Sequence, residues 1–311
     1  MFSRRAGRGG DRGQPFLTRS LLPPPRVVAH ECGHGAFCAV PAVNDAVGLV
    51  LHSALMVPYF SWKHSHRRHH SNTGSVAKDE VFVPPVEADP GARGPWQHFL
   101  RTPLGRAGSI LFALTLGWPA YLAFNVAGRP YPATWVSHFD PASPIFSKRE
   151  RASVVASDAG LVAAAAALAG VARAVGWRAV AALYGVPLLI TNAWLVTITL
   201  LQHTHPALPH YDDPDWAWLA GALSTVDRDY GRFLNAAFHH IADTHVAHHL
   251  FSSIPHYHAV EATAALKKVL GPYYARDERP VWRAVWDDFR TCYAVSPAVE
   301  GKDNGAMWFH E

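Results

Sequence analysis

Three short histidine runs constrain this chain more than any other feature: His30-Glu31-Cys32-Gly33-His34, His66-Arg67-Arg68-His69-His70 and His245-Val246-Ala247-His248-His249. On an α-helix, positions i, i+3 and i+4 share a face. Each HxxHH run therefore aims three imidazoles at one point and the first run aims two. Eight converging ligands exceed the four of a tetrahedral zinc site, so the arithmetic asks for two metals of higher coordination number, and imidazole-rich surroundings suit iron. One HxxHH run alone reads equally well as a solvated helix face, but three in one chain do not. The 20 His against 28 Lys+Arg agree, because imidazole is a poor core filler and a good ligand.

The first run read alone, His30-Glu31-x-x-His34, also satisfies the HExxH pattern of zinc proteases, with Glu31 as general base. That reading leaves the other cluster histidines without a role. In the two-metal reading Glu31 is expected to orient an imidazole.

Ligands of one site must lie on one side of any membrane the chain crosses. Apolar segments recur at about 47–60, 108–127, 154–175 and 179–201, the last three near the roughly 20 residues that span a bilayer. Pro119 and Pro187 sit inside two of them, which neighbouring helices tolerate better in membranes than in water. The 17% charged residues fall below the roughly 25% of soluble domains. Segment 47–60 separates the first two clusters, so it is expected to be interfacial or re-entrant. Three long segments then precede the third cluster, and an odd number would strand it on the wrong side. The Ala-rich 154–175 segment is expected to cross only partly, leaving 108–127 and 179–201 as membrane helices and 202–311 as a cytosolic cap. The fold expected is an all-α integral membrane protein with a His-rich cap.

Residues 1–26 hold six Arg, one acid and a triple proline, and are expected to be disordered. Three cysteines without a CxxC pair suit a reducing compartment. The net charge of +4 includes no basic run long enough to read as a nucleic-acid stripe, and attraction to anionic lipid headgroups is an equally good use of it.

From about Val27 to Trp308 the sequence resembles the membrane fatty acid desaturases, and among them the delta-12 oleate desaturases of plant and algal endoplasmic reticulum. The resemblance rests on the three histidine boxes and on stretches such as Val57-Pro58-Tyr59-Phe60-Ser61-Trp62-Lys63, Asp79-Glu80-Val81-Phe82-Val83-Pro84, Leu201-Gln202-His203-Thr204-His205-Pro206 and Thr225-Val226-Asp227-Arg228-Asp229-Tyr230-Gly231. It implies a di-iron enzyme that uses O2 and two electrons to remove two hydrogens from an unactivated acyl chain held in a kinked apolar tunnel. The substrate implied is oleate esterified in a phospholipid. The ligands implied are His30, His34, His66, His69, His70, His245, His248 and His249, with a ninth from the segment after the last apolar helix, His203 in preference to His205. His52, His64, His98, His138, His210, His240, His256, His258 and His310 are assigned no metal role. Asp227, Arg228, Asp243 and His239 are candidates to fix imidazoles or meet an electron donor.

No His-Pro-Gly-Gly haem motif occurs, so the resemblance implies cytochrome b5 and its NADH-dependent reductase as donors, with Arg67, Arg68, Lys267 and Lys268 as candidate contacts. The compartment implied is the endoplasmic reticulum membrane with the site facing the cytosol, plastid membrane being the alternative; a second copy of the chain is a further candidate partner. Three comparisons with the family pattern stand out. Gly35 replaces a family His after the first box, Ala29 matches plain desaturases rather than acetylenases, and only 29 residues precede the box where the family has a membrane hairpin. The chain is therefore expected to be N-terminally shortened. Hydroxylase or acetylenase outcomes, and an inactive scaffold, stay open at this point.

Overall fold

The computed structural model describes residues 24–87, 94–296 and 305–309. The disorder expected for 1–26 falls outside them, except that 24–26 open the first helix. Helix α1 (Pro24–His34) begins on prolines, whose fixed φ suits a first turn, and stops where Gly35 takes a φ of 72°. Helices α2 (Pro41–Ala54) and α3 (Tyr59–Asn72) meet at a bend of 108°. Two glycines allow the close approach: a Cβ on Gly33 would stand 2.5 Å from the Trp62 ring, and one on Gly48 would collide with Tyr59. The apolar stretch expected at 47–60 thus comprises the end of α2, the turn and the start of α3.

Among the described residues three helices are long and apolar enough to cross a membrane: α4 (Pro103–Phe124), α5 (Arg151–Val175) and α6 (Trp177–His203). Two of them carry a π-turn, at Ala113–Gly117 and Ala181–Gly185. Each turn ends two residues before a proline, Pro119 or Pro187. Proline lacks the N–H for an i−4 carbonyl and its ring presses on that carbonyl, so the preceding turn widens to i+5 bonding instead of breaking the helix. Exposed Val162, Val171 and Leu183 give α5 and α6 an apolar outer surface.

Helix α5 is continuous over 25 residues, about 37 Å at 1.5 Å per residue. Its N-terminus sits beside the second histidine box, where Glu150 pairs with Arg68 on α3. Gly176, at φ 88°, turns the chain into α6, which ends on His203. By contrast both ends of α4 lie against the polar part of the molecule. The Arg106 guanidinium stacks over Trp286 at 4.6 Å, and the Tyr121 hydroxyl donates to Glu80 O at 3.2 Å.

The cap carries helices α7 (His245–Leu250), α8 (His256–Leu270) and α9 (Val281–Thr291). It also contains five short strands, which the all-α expectation omits. Strands β1 (Pro209–Tyr211), β4 (Val295–Ser296) and β5 (Ala306–Phe309) form an antiparallel sheet in the order β1-β5-β4. Strands β2 (Asp227–Arg228) and β3 (Arg276–Asp277) pair in parallel. Segments of two to four residues are too short to show a period-two pattern.

The cap is pinned to α6 by Arg228, only 1% exposed. Its guanidinium donates to Leu201 O at 2.7 Å, Thr204 O at 2.6 Å and Asp288 Oδ2 at 2.6 Å, and also pairs with Asp277. The two carbonyls flank His203, so this one side chain fixes the end of α6 that bears it. Leu201, Tyr230, Phe238 and Val285 pack the apolar core alongside.

Candidate metal centre

Helix register places each cluster histidine. His30 and His34 stand one turn apart at the end of α1, and His66, His69 and His70 occupy the last two turns of α3. His245, His248 and His249 lie on α7, and His203 closes α6. One ring nitrogen from each of His30, His34, His66, His70 and His248 lies within 4.8 Å of all the others, and His69, His203 and His249 form a second such group. His30 Nε2 is 2.9 Å from His66 Nε2 and 3.3 Å from His34 Nε2. In the second group His203 Nε2 is 3.2 Å from His69 Nε2 and 3.2 Å from His245 Nε2, which brings His245 alongside. His205 stays outside, its Nδ1 accepting the Ala207 N–H in the turn after α6.

A neutral imidazole has one N–H and one lone pair, so two facing nitrogens can share a hydrogen bond, but several converging on one point cannot all do so and leave lone pairs that a cation among them would satisfy. His248 Nε2 and His249 Nε2 are buried with no hydrogen-bond partner among the described residues. Buried polar atoms are seldom left so, and a metal ion in each group would satisfy one of them apiece. The donor set therefore fits two imidazole-bound transition metals.

The surroundings turn the rings to suit. His69 Nδ1 donates to Asp79 Oδ1 at 2.7 Å, leaving its Nε2 lone pair free toward the group. The Thr73 hydroxyl donates to His69 O at 2.7 Å, so its oxygen is left to accept from His249 Nδ1 at 3.1 Å. That fixes a second tautomer. Asp227 accepts the Val246 N–H at 2.8 Å at the start of α7, and its other oxygen accepts from the Tyr274 hydroxyl. Burial, reinforced by neighbouring imidazoles, holds His245 at about 3 and lowers His248 and His249 well below the ordinary range. Each thus offers a neutral ligand atom at neutral pH.

Of the supporting residues expected from sequence, Arg228 positions His203 and Asp227 holds α7. Asp243 instead takes His240 Nδ1 at 2.9 Å, and the His239 ring packs on His256 at 4.7 Å. Glu31 does not orient a cluster imidazole. One residue on from His30 it points about 100° around the helix, where its carboxylate accepts the His256 N–H at 3.0 Å. A protease general base would have to face the metal, so the same contact removes the support for the HExxH reading. Spacing does not single out Asp79 or Thr73, although both lie within stretches that carry the resemblance, Thr73 in Arg67-Arg68-His69-His70-Ser71-Asn72-Thr73-Gly74. Arg68 is engaged by Glu150 and Ile145 O, while Arg67 remains exposed.

A mainly apolar cavity of about 110 Å3 adjoins the cluster, lined by His30, His66 and His203 together with Trp62, Trp194 and Ile198 among others.

A helical fold with lipid-compatible spans, enclosing nine imidazoles beside an apolar cavity, defines a membrane-type protein with a buried metal centre. The sequence pattern of the fatty acid desaturase family matches residues 26–279, and the chain belongs to that family. It is 57% identical over 284 residues to a Delta(12)-acyl-lipid-desaturase of Punica granatum, covering 91% of this chain and 72% of the relative. It is 55% identical to an endoplasmic reticulum omega-6 fatty acid desaturase of Brassica juncea (91% and 73% covered) and 54% identical to a Delta(12)-fatty-acid desaturase of Arabidopsis thaliana (91% and 73%).

Proposed function

We propose that this chain is an oxidoreductase, an acyl-lipid delta-12 desaturase that converts phospholipid-linked oleoyl chains to linoleoyl chains. The observation that carries the reading is the wall shared by cluster histidines and apolar side chains in one cavity, in a chain whose relatives bear that activity in their names. The reaction balances as –CH2–CH2– + O2 + 2e⁻ + 2H⁺ → –CH=CH– + 2H2O. Two irons, when bound, would supply the oxidant that an unpolarised C–H bond requires and no side chain provides.

The remaining work falls to this chain's residues. His30, His34, His66, His69, His70, His203, His245, His248 and His249 would hold the metals. Asp79 and Thr73 keep two of those rings in the ligating tautomer, and Arg228 holds the backbone on either side of His203. Trp62, Trp194 and Ile198 give the acyl chain a water-poor wall and restrict which carbons face the histidines, which makes selectivity a matter of geometry. Electrons would come from cytochrome b5, reduced by its NADH-dependent reductase.

For the membrane we propose that α5 and α6 form the crossing pair, since α5 starts and α6 ends at the histidines, while α4 keeps both ends on that side. This gives the even number of crossings that a shared site demands. The transfer of the partial crossing from 154–175 to α4 rests on the contacts of Arg106 and Tyr121. The cap would face the cytosol from the endoplasmic reticulum membrane, a compartment named for the Brassica juncea relative.

Expression in yeast, which makes oleate but no linoleate, with analysis of total fatty acids, tests the function. Linoleate is the expected product. A hydroxylated or acetylenic product would move the chain elsewhere in its family, and no product from membrane-inserted protein would overturn the reading.

A further inference from the structure

The apolar space beside the histidines is divided in two. An inner chamber of about 110 Å3 runs from the cluster to Thr191 and Trp194; Thr191 lies about 18 Å along α6 from His203 at 1.5 Å per residue. An outer chamber of about 350 Å3 lies between α4 and α6 and reaches Phe112, Val126 and Phe289. Val81, Trp118, Tyr121, Leu195 and Thr199 line both, forming the neck between them.

Their relative sizes suit the two unequal parts of the substrate. A double bond between the twelfth and thirteenth carbons of an eighteen-carbon chain leaves five carbons on the methyl side and eleven on the ester side. The histidines line only the inner chamber, so the reacting carbons and the short methyl side belong there, and the long ester side leads through the neck to the larger outer space, whose wall includes Phe289 of the cap helix α9.

Thr191 suits the end of a chamber that is mainly apolar, where the Arg26 guanidinium that also lines it is engaged by Asn192 Oδ1 at 3.0 Å. The Thr191 hydroxyl donates to Pro187 O at 2.9 Å and so makes no polar demand on a neighbour. Trp194 beside it is braced by Phe238, with ring centroids 4.9 Å apart, so the wall there does not yield easily. We propose that Thr191 and Trp194 form the floor met by the methyl end of the acyl chain, and that the size of residue 191 sets how many carbons fit beyond the new double bond. This specificity role rests on the desaturase reading above.

The test uses the full chain in yeast supplied with both palmitoleate and oleate, reading the ratio of eighteen-carbon to sixteen-carbon diene. A sixteen-carbon chain leaves only three carbons on the methyl side. Thr191→Phe should lower the ratio about tenfold, the order that a methylene mismatch commands in an apolar pocket, with the sixteen-carbon diene still formed. Thr191→Leu, a smaller change, should move it the same way and carries the test if the Phe variant fails to accumulate. Ala113→Leu, on the outer wall, should lower both dienes together. A ratio that stays constant in both Thr191 variants while diene is made overturns the floor. No diene of either length from the unsubstituted chain would overturn the desaturase reading itself.

Discussion

The His69 Nδ1–H donates to Asp79 Oδ1 at 2.7 Å, and both side chains are only 2% exposed. This buried pair decides which nitrogen of His69 is left for the centre, because a ring that donates from Nδ1 presents its Nε2 lone pair. Carboxylate partners of ligating histidines also raise ligand basicity, and their loss typically weakens metal binding 10- to 100-fold.

Asp79→Ala should therefore lower the iron retained by purified protein at limiting iron by about that factor. Asp79→Asn keeps an acceptor oxygen and should fall between the two. Metal analysis after dialysis against a graded chelator checks this. Equal retention by Asp79→Ala and the unsubstituted chain would show that the carboxylate has no part in the centre.

His203 and His205 lie two residues apart and have opposite surroundings. His203→Ala should abolish turnover while leaving the protein in the membrane, and His205→Ala should retain at least about half of it, since its ring only accepts a turn N–H. Diene yield per amount of membrane protein distinguishes them. His258→Ala, on the exposed face of α8, should be nearly silent.

Removing Arg228 leaves Asp277 and Asp288 short of a buried cation, a loss of about 3–5 kcal/mol for a broken buried pair. Arg279 still pairs with both acids and softens the effect toward the lower figure. Arg228→Met should accordingly shorten the thermal half-life of the detergent-solubilised protein, with Arg228→Lys intermediate because it cannot reach two carbonyls and two carboxylates at once. A half-life unchanged in Arg228→Met would refute the clamp.

Glu150 supplies a pH-dependent link between α3 and α5. Burial alone would raise its carboxyl, but the Ser147 N–H and hydroxyl and the Arg68 guanidinium outweigh it and hold the group at about 2, below its ordinary 4.5. A depressed carboxylate stabilises the fold above the unfolded value and loses that contribution as pH falls through the folded one. The stability difference between the unsubstituted chain and Glu150→Gln should thus be constant from pH 8 to about 5 and shrink toward pH 2. Thermal denaturation across that range measures it; a difference that instead grows in acid would contradict the assignment.

Much of the centre was legible because helical spacing is a local rule: His66, His69 and His70 share a face whatever surrounds them. His203 was not reachable by spacing, since it is a lone histidine ending an apolar helix, and only the resemblance pointed to it. Asp79 escaped notice because its partner is ten residues away, across the irregular turn that follows α3. Glu31 was misjudged because adjacency to His30 in sequence is divergence on a helix. In the fold, the apolar segments were found from composition, but their contacts depend on distant partners such as Trp286 for Arg106 and Glu80 for Tyr121. The two-residue strands hold Asp227 and Asp277 in place without leaving any pattern in the sequence.

Nine imidazoles in two adjoining groups are proposed to hold a pair of irons. Iron stoichiometry of the purified full chain, with His69→Ala and His248→Ala as one lesion in each group, tests it most directly. About two irons per chain are expected, falling toward one or none in either variant because the groups adjoin. Zinc in place of iron, a single metal unaffected by either substitution, or an unsubstituted chain that retains no metal would contradict it.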